Sequence, residues 1–132
     1  MKDKIILFIC KGNSGRSQMA EAFFNHASKK WKAISAGTDA DEKIHPCTLQ
    51  VMGEVGIDVS KQKPKMLTDE LMKSADKIIV MDSELLKNVP SGYLSKSENW
   101  QIEKLLGKPI EEVREIRNTI KERVERMIET MA

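Results

Sequence analysis

The sequence predicts an α/β fold: a four-stranded parallel sheet flanked by helices on both faces, in a single domain over residues 1–132. Three observations predict it. Short isoleucine-rich runs, Lys4–Cys10 (KIILFIC) and Lys77–Met81 (KIIVM), have the near-continuous apolar character of strands buried on both faces. Segments with apolar side chains at helical spacing alternate with such runs, as a doubly wound sheet requires. No linker, repeat or low-complexity stretch divides the chain, and 132 residues suit one hydrophobic core.

Lys4–Cys10 is the first strand, and the glycines and asparagine that follow end its pattern. A helix is expected from Arg16 to about Lys29, because Met19, Ala20, Phe23, Phe24 and Ala27 recur along one face. Trp31–Ala36 reads as a second strand, closed by Gly37. His45-Pro46 opens a helix covering Leu49, Met52 and Val55, which Gly56 stops. Thr68-Asp69-Glu70-Leu71 offers a short helix with acids in its first turn. Lys77–Met81 is the third strand, Asn88–Asn99 a loop, and Trp100–Ile102 a fourth, weaker strand. Pro109 is expected at the first position of a long last helix, with Ile110, Val113, Ile116, Ile120, Val124, Met127 and Met131 facing inward.

Composition narrows the function. The net charge is +2, with 22 basic and 20 acidic side chains well mixed, so a nucleic-acid footprint is absent and no nucleic-acid partner is expected. No apolar run reaches bilayer-spanning length, and Ile5–Ile9 is too short for a signal-peptide core. The expectation is a cytoplasmic protein with no membrane partner. Two cysteines, Cys10 and Cys47, make neither a disulfide framework nor a structural zinc site. In a reducing compartment, a cysteine in a special loop reads as a reactive thiol.

That loop is Cys10-Lys11-Gly12-Asn13-Ser14-Gly15-Arg16-Ser17, at the carboxyl end of the first strand, where open α/β sheets bind ligands. Cys10 and Arg16, with five residues between them, can ring one tetrahedral oxyanion. Gly12 and Gly15 let successive N–H groups turn inward as a nest, and the helix starting at Arg16 adds the positive end of its dipole. Arg16 can grip two oxygens in a fork that lysine does not offer. This field favours the thiolate of Cys10, the nucleophilic form. Ser17 is placed to hydrogen-bond the sulfur, and Asn13 to bond loop backbone in a left-handed conformation. Lys11, Gly12, Asn13, Ser14, Gly15 and Arg16 are the expected anion-binding residues, and Cys10, Arg16 and Ser17 the expected catalytic ones. The loop lacks the lysine-serine or lysine-threonine ending of a nucleotide P-loop, and the full dinucleotide glycine pattern.

The run CKGNSGRSQMAEAFF resembles the signature of the low-molecular-weight protein tyrosine phosphatase superfamily, which includes thioredoxin-coupled arsenate reductases. The likeness continues through Ile34–Thr38, His45-Pro46, Met52–Asp58, Pro64-Lys65, Val80–Asp82 and from Gly107 onward. The resemblance implies a four-stranded parallel sheet with flanking helices. It also implies phosphomonoester chemistry on a phosphotyrosine protein, with phosphate or arsenate as the oxyanion.

The chain departs from the family in two places. Phosphatases of this kind carry an Asp-Pro pair whose aspartate protonates the leaving oxygen, and here Lys104-Leu105 falls at that position. Glu103, one residue earlier, is the stand-in acid if the loop shifts; otherwise Glu103 and Lys104 are solvated loop charges. Weak turnover is therefore expected, weakest on substrates with poor leaving groups. Similar reductases place a cysteine pair after the third strand, where this chain has Asp82 and Lys87-Asn88-Val89, and the loop's own second cysteine is Gly15. Cys47 is expected to be a small apolar core residue, so reduction would need an external thiol reductant. Glu21 and Ser35 correspond to potassium ligands in some reductases, but no metal and no cofactor is expected here. His45 is expected to be a turn or cap residue, His26 to suit the end of the first helix, and Asp82 to cap the helix after the third strand. Tyr93 and Trp100 are placed either on a substrate cleft or in packing.

The leading expectation is a phosphomonoester hydrolase working through a Cys10 thiophosphate. The alternatives are an arsenate reductase with an external thiol partner, and a catalytically impaired phosphate- or phosphotyrosine-binding module.

Overall fold

Strand β1 (Lys4–Cys10) completely buries Ile6, Leu7, Phe8 and Ile9 because it lies inside the sheet with helices against it. The computed structural model describes residues 4–131, so the expected span 1–132 extends beyond it only at residues 1–3 and 132. β1 pairs in parallel with β2 (Trp31–Gly37) on one side and β3 (Lys77–Val80) on the other. The edge strand β4 (Ser97–Asn99) pairs in parallel with β3, giving the order β2-β1-β3-β4. The register sets Cys10 opposite Gly37 and Ile9 opposite Val80, which brings three chain segments together where the strands end.

Helix α1 (Arg16–Ala27) packs Met19, Ala20, Phe23 and Phe24 inward. It stops short of Lys29 because Ser28 is extended, and the Asn25 side chain accepts from Ala33 N–H and donates to Ala33 C=O, tying the helix end to β2. Helix α2 (Pro46–Glu54) begins as expected and ends one residue before Val55, which caps it, with Gly56 in the left-handed region at φ 81°. Its buried face is Thr48, Val51 and Met52, so Leu49 and Val55 stand about 40% exposed instead of inside. Helix α3 (Asp69–Ser74) is capped by the Thr68 hydroxyl, which accepts from Leu71 N–H.

The fourth strand lies at Ser97–Asn99, not at Trp100–Ile102. Its residues are polar because an edge strand leaves much of its surface in water, so no apolar run announces it. Beyond it, the Asn99 side chain accepts from Gln101 N–H and Gln101 turns to φ 52°, which breaks strand geometry. Trp100 and Ile102 still donate to Val80 and Met81 carbonyls as the chain passes the end of β3. The expected loop 88–99 also contains a 3₁₀ helix at Ser91–Lys96, and another, Ser83–Asn88, precedes it.

Helix α4 (Ile110–Thr130) presents the expected stripe, with Val113, Ile116, Ile120, Val124 and Met127 buried. Pro109 caps it from outside, extended at ψ 158°, instead of standing as its first residue; its carbonyl accepts from Glu112 and Val113. Phe8 carries the centre of the core, 6.3 Å from the Phe24 ring and 5.5 Å from Trp100. Trp100 is thus a packing residue, 3% exposed, while the Tyr93 hydroxyl donates to Asp69.

Candidate active site

The segment 10–16 closes around the sulfur of Cys10, and its carbonyls turn outward. Cys10, Lys11 and Gly12 carbonyls accept from the N–H groups of Thr38, Asp39 and Asp41. The Asn13 carbonyl accepts from Gln18 Nε2, and the Ser14 carbonyl from His45 N–H and the Thr48 hydroxyl. Among the described residues, the N–H groups of Gly12, Ser14 and Gly15 meet no acceptor. With Ser14 and Gly15 buried, such donors are costly to leave unmade, and successive free N–H groups of this kind suit an anion-binding nest.

The sulfur itself sits among donors. Cys10 Sγ is 2.7 Å from Ser17 Oγ and accepts from Asn13 N–H at 3.2 Å. Asn13 Nδ2 donates to Ser17 Oγ at 2.8 Å, which leaves the Ser17 hydrogen for the sulfur. Asn13 is the left-handed residue of the loop, at φ 51°. Its Oδ1 accepts from Lys65 N–H and Gln18 Nε2, so a fully buried asparagine ties the loop to α1 and to the chain after α2.

Close approach, more than left-handed backbone, is what Gly12 and Gly15 supply. A Cβ at Gly12 would overlap Asp41 Oδ2, and one at Gly15 would come 2.5 Å from Leu105 Cδ1. Gly37, opposite Cys10, is less able to yield: a Cβ there would meet Lys11 O at 2.5 Å and Asn13 N at 2.9 Å, both backbone atoms.

Arg16 is 6% exposed at the head of α1. Its Nη1 donates to Ile102 C=O at 2.8 Å and its Nη2 to Asp82 Oδ2 at 3.0 Å. The other Asp82 oxygen accepts from Glu84 and Leu85 N–H groups, so Asp82 does cap the turn after β3 while also holding Arg16. Ser14 Oγ donates to Asp41 Oδ2 at 2.6 Å. Lys11 is exposed.

Glu103 lies outside this arrangement. It is 72% exposed and 3.4 Å from Lys108, and Lys104 reaches out to Glu84 at 3.8 Å. Leu105, not a carboxylate, leans on the loop at Gly15. Cys47 is half-buried, and burial pushes its thiol up from the ordinary range. His45 caps α2, its Nδ1 accepting from Cys47 N–H. Glu21 accepts from the Ser35 hydroxyl at 2.8 Å with Lys65 at 3.9 Å; burial raises its carboxyl above the usual range. Among the described residues, no group of three or more His, Cys, Asp or Glu is placed to hold a metal, and no helix is long and apolar enough to cross a membrane.

Sequence reasoning missed Asp41, Gln18, Gly37 and the anchoring role of Asp82. Gly37 and Asp82 had a readable signal, since Gly37 ends β2 opposite Cys10 and Asp82 lies two residues past the end of β3. Asp41 and Gln18 had none.

A parallel sheet that sets a cysteine, a nest of amides and a buried arginine at the end of a central strand defines an α/β protein with a thiol-based anion loop. The family model for low molecular weight phosphotyrosine protein phosphatase matches residues 5–132. Arsenate reductase 2 of Staphylococcus epidermidis is 35% identical over 127 residues, covering 95% of this chain and 96% of that protein. An arsenate reductase structure in a phosphate-binding state is 33% identical with a TM-score of 0.86, over 98% of this chain and 99% of that one. A low molecular weight protein tyrosine phosphatase from T. tengcongensis is 29% identical with a TM-score of 0.88, over 97% and 99%. The chain belongs to the low molecular weight phosphotyrosine protein phosphatase family, and is an enzyme of the phosphatase-like and arsenate-reductase-like kind.

Proposed function

We propose that the protein hydrolyses phosphomonoesters, phosphotyrosine protein among them, through a covalent thiophosphate on Cys10. The observation that carries this reading is the loop itself: carbonyls tied outward, free amides, and a sulfur held between Ser17 and Asn13. The Cys10 thiolate attacks phosphorus, and the bond to the leaving oxygen breaks. The free amides of Gly12, Ser14 and Gly15 and the remaining N–H groups of Arg16 stabilise the equatorial oxygens, while the Asn13 amide stays on the sulfur. Water then attacks phosphorus, the sulfur–phosphorus bond breaks, and Ser17 steadies the departing thiolate.

Proton supply is the weak step. Glu103 is the candidate acid, and to serve it must leave Lys108 and turn toward the loop. Without it the leaving group departs as an anion, so turnover is slow on phenols and faster on activated aryl phosphates. The test is p-nitrophenyl phosphate hydrolysis by wild type and Cys10→Ser in fresh reductant. Turnover that vanishes in the serine variant supports the thiophosphate route; turnover that persists refutes it.

Arsenate reduction is the second reading, favoured by the arsenate reductases among the relatives. Arsenate fits the same loop, since its shape and charge match phosphate. Asp82 and Lys87-Asn88-Val89 supply no cysteine relay, and the half-buried Cys47 has its thiol pushed up by burial, so an external thiol reductant must resolve the Cys10–arsenic adduct. Arsenite release that depends on an added thiol system distinguishes this reading. We place the protein in the cytoplasm, where such reductants are kept reduced.

A further inference from the structure

From the position of Asp41 we infer that this anion loop selects phosphorylated peptide segments carrying lysine or arginine beside the phosphorylated residue, an inference that rests on the loop being the phosphate site. Asp41 is an exposed residue whose Oδ2 is held by Ser14 Oγ at 2.6 Å and fills the space where Gly12 has no side chain. Its own N–H donates to the Gly12 carbonyl, so both its backbone and its carboxylate are fixed to the loop. Among the described residues, no Lys or Arg nitrogen lies within ion-pair distance of Asp41, nor of its exposed neighbours Asp39 and Glu42.

A carboxylate fixed on the wall of a phosphate site does two things. It disfavours a second negative charge arriving with the phosphate, and it offers a partner to a positive one. Lys11 is the neighbouring cation of the loop, but it is exposed and pairs with no carboxylate among the described residues, so its charge is carried on a flexible stem in water. Asp41 is the fixed charge, and selectivity follows the fixed charge. Acidic phosphopeptides are at a disadvantage at this loop.

The test uses two peptides of equal length bearing a non-hydrolysable phosphonate analogue of phosphotyrosine, one flanked by lysines and one by glutamates. Each is titrated for its protection of Cys10 from iodoacetate, a readout that needs no turnover. The expected result is about three- to fivefold tighter protection by the basic peptide at low salt, as befits an exposed ion pair, fading at high salt. In Asp41→Asn, which keeps an acceptor for Ser14, the preference should disappear. It should survive in Glu129→Gln, which changes the same net charge at the far end of α4. A preference unchanged in Asp41→Asn, no preference in the wild type, or equal weakening of both peptides in the variant would each overturn the inference. If neither inorganic phosphate nor either peptide protects Cys10, the phosphate-site reading itself has failed.

Discussion

Asp82 Oδ2 lies 3.0 Å from Arg16 Nη2, an ion pair buried across the carboxyl ends of β1 and β3. Ile102 C=O accepts from the other terminal nitrogen, so Arg16 is held from two sides, with its remaining N–H groups left for an oxyanion. The chemistry of Asp82 here is anchoring. Asp82→Ala would leave a buried guanidinium without its counter-charge and remove the cap on Ser83–Asn88. It should destabilise the fold by roughly 3–5 kcal/mol, with Asp82→Asn losing less, as measured by denaturant unfolding. Added phosphate should restore more stability to Asp82→Ala than to the wild type, because the anion can replace the lost partner.

Ser17 is the direct neighbour of the sulfur, 2.7 Å away. Ser17→Ala removes a bond to a charged acceptor, and should slow both Cys10 alkylation at neutral pH and thiophosphate breakdown, each by roughly tenfold or more. Alkylation and burst kinetics read these separately. An unchanged alkylation rate would show that the hydroxyl does not favour the thiolate.

Leaving-group dependence tests the proton supply. The wild type should hydrolyse p-nitrophenyl phosphate far faster than phosphotyrosine, since a positioned acid supplies ~10²–10⁴-fold where the leaving group is poor. Glu103→Gln should change neither rate by more than about twofold if the leaving group departs unaided. Comparable rates on the two substrates, lost in Glu103→Gln, would make Glu103 the working acid.

Gly37→Ala should damage the loop more than Gly15→Ala. The added carbon at Gly37 meets backbone of Lys11 and Asn13, whereas at Gly15 it meets the flexible end of Leu105. Phosphate protection of Cys10 should be lost in the first and largely kept in the second, more fully when Leu105→Ala is added.

Glu54 staples α2 to α4 through Arg114 and Arg117, and the Arg114 hydrogen bond first of all holds its carboxyl down to about 2. A carboxyl lowered on folding adds stability that is fully present above its ordinary value and lost as pH falls toward the folded one. The unfolding midpoint of Glu54→Gln should therefore lie below wild type at neutral pH. The gap should close between about pH 4.5 and 2. A constant gap across that window would contradict the assignment.

The two central strands, the long helices and the loop were legible in the sequence because burial on both faces and helical periodicity leave strong signals. β4 was not, since Ser97-Glu98-Asn99 on a sheet edge needs backbone bonds to β3 and no apolar face. α2 was found but turned, because the residues it buries are chosen by Ser14 and α4 and not by its own periodicity. Within the site, Cys10, Arg16, Ser17 and Asn13 were legible because chemistry constrains residue type at fixed spacing. Asp41 acts through contacts 27 and more residues away, and Gln18 joins Asn13 to the distant Lys63 and Gln62, which composition does not encode.

The most direct test is to quench the wild type in acid during p-nitrophenyl phosphate turnover and map the phosphate by mass spectrometry. Phosphate on the peptide containing Cys10, absent from Cys10→Ala, is the predicted result. Steady turnover with no phosphate on Cys10, or turnover retained by Cys10→Ala, would contradict the account.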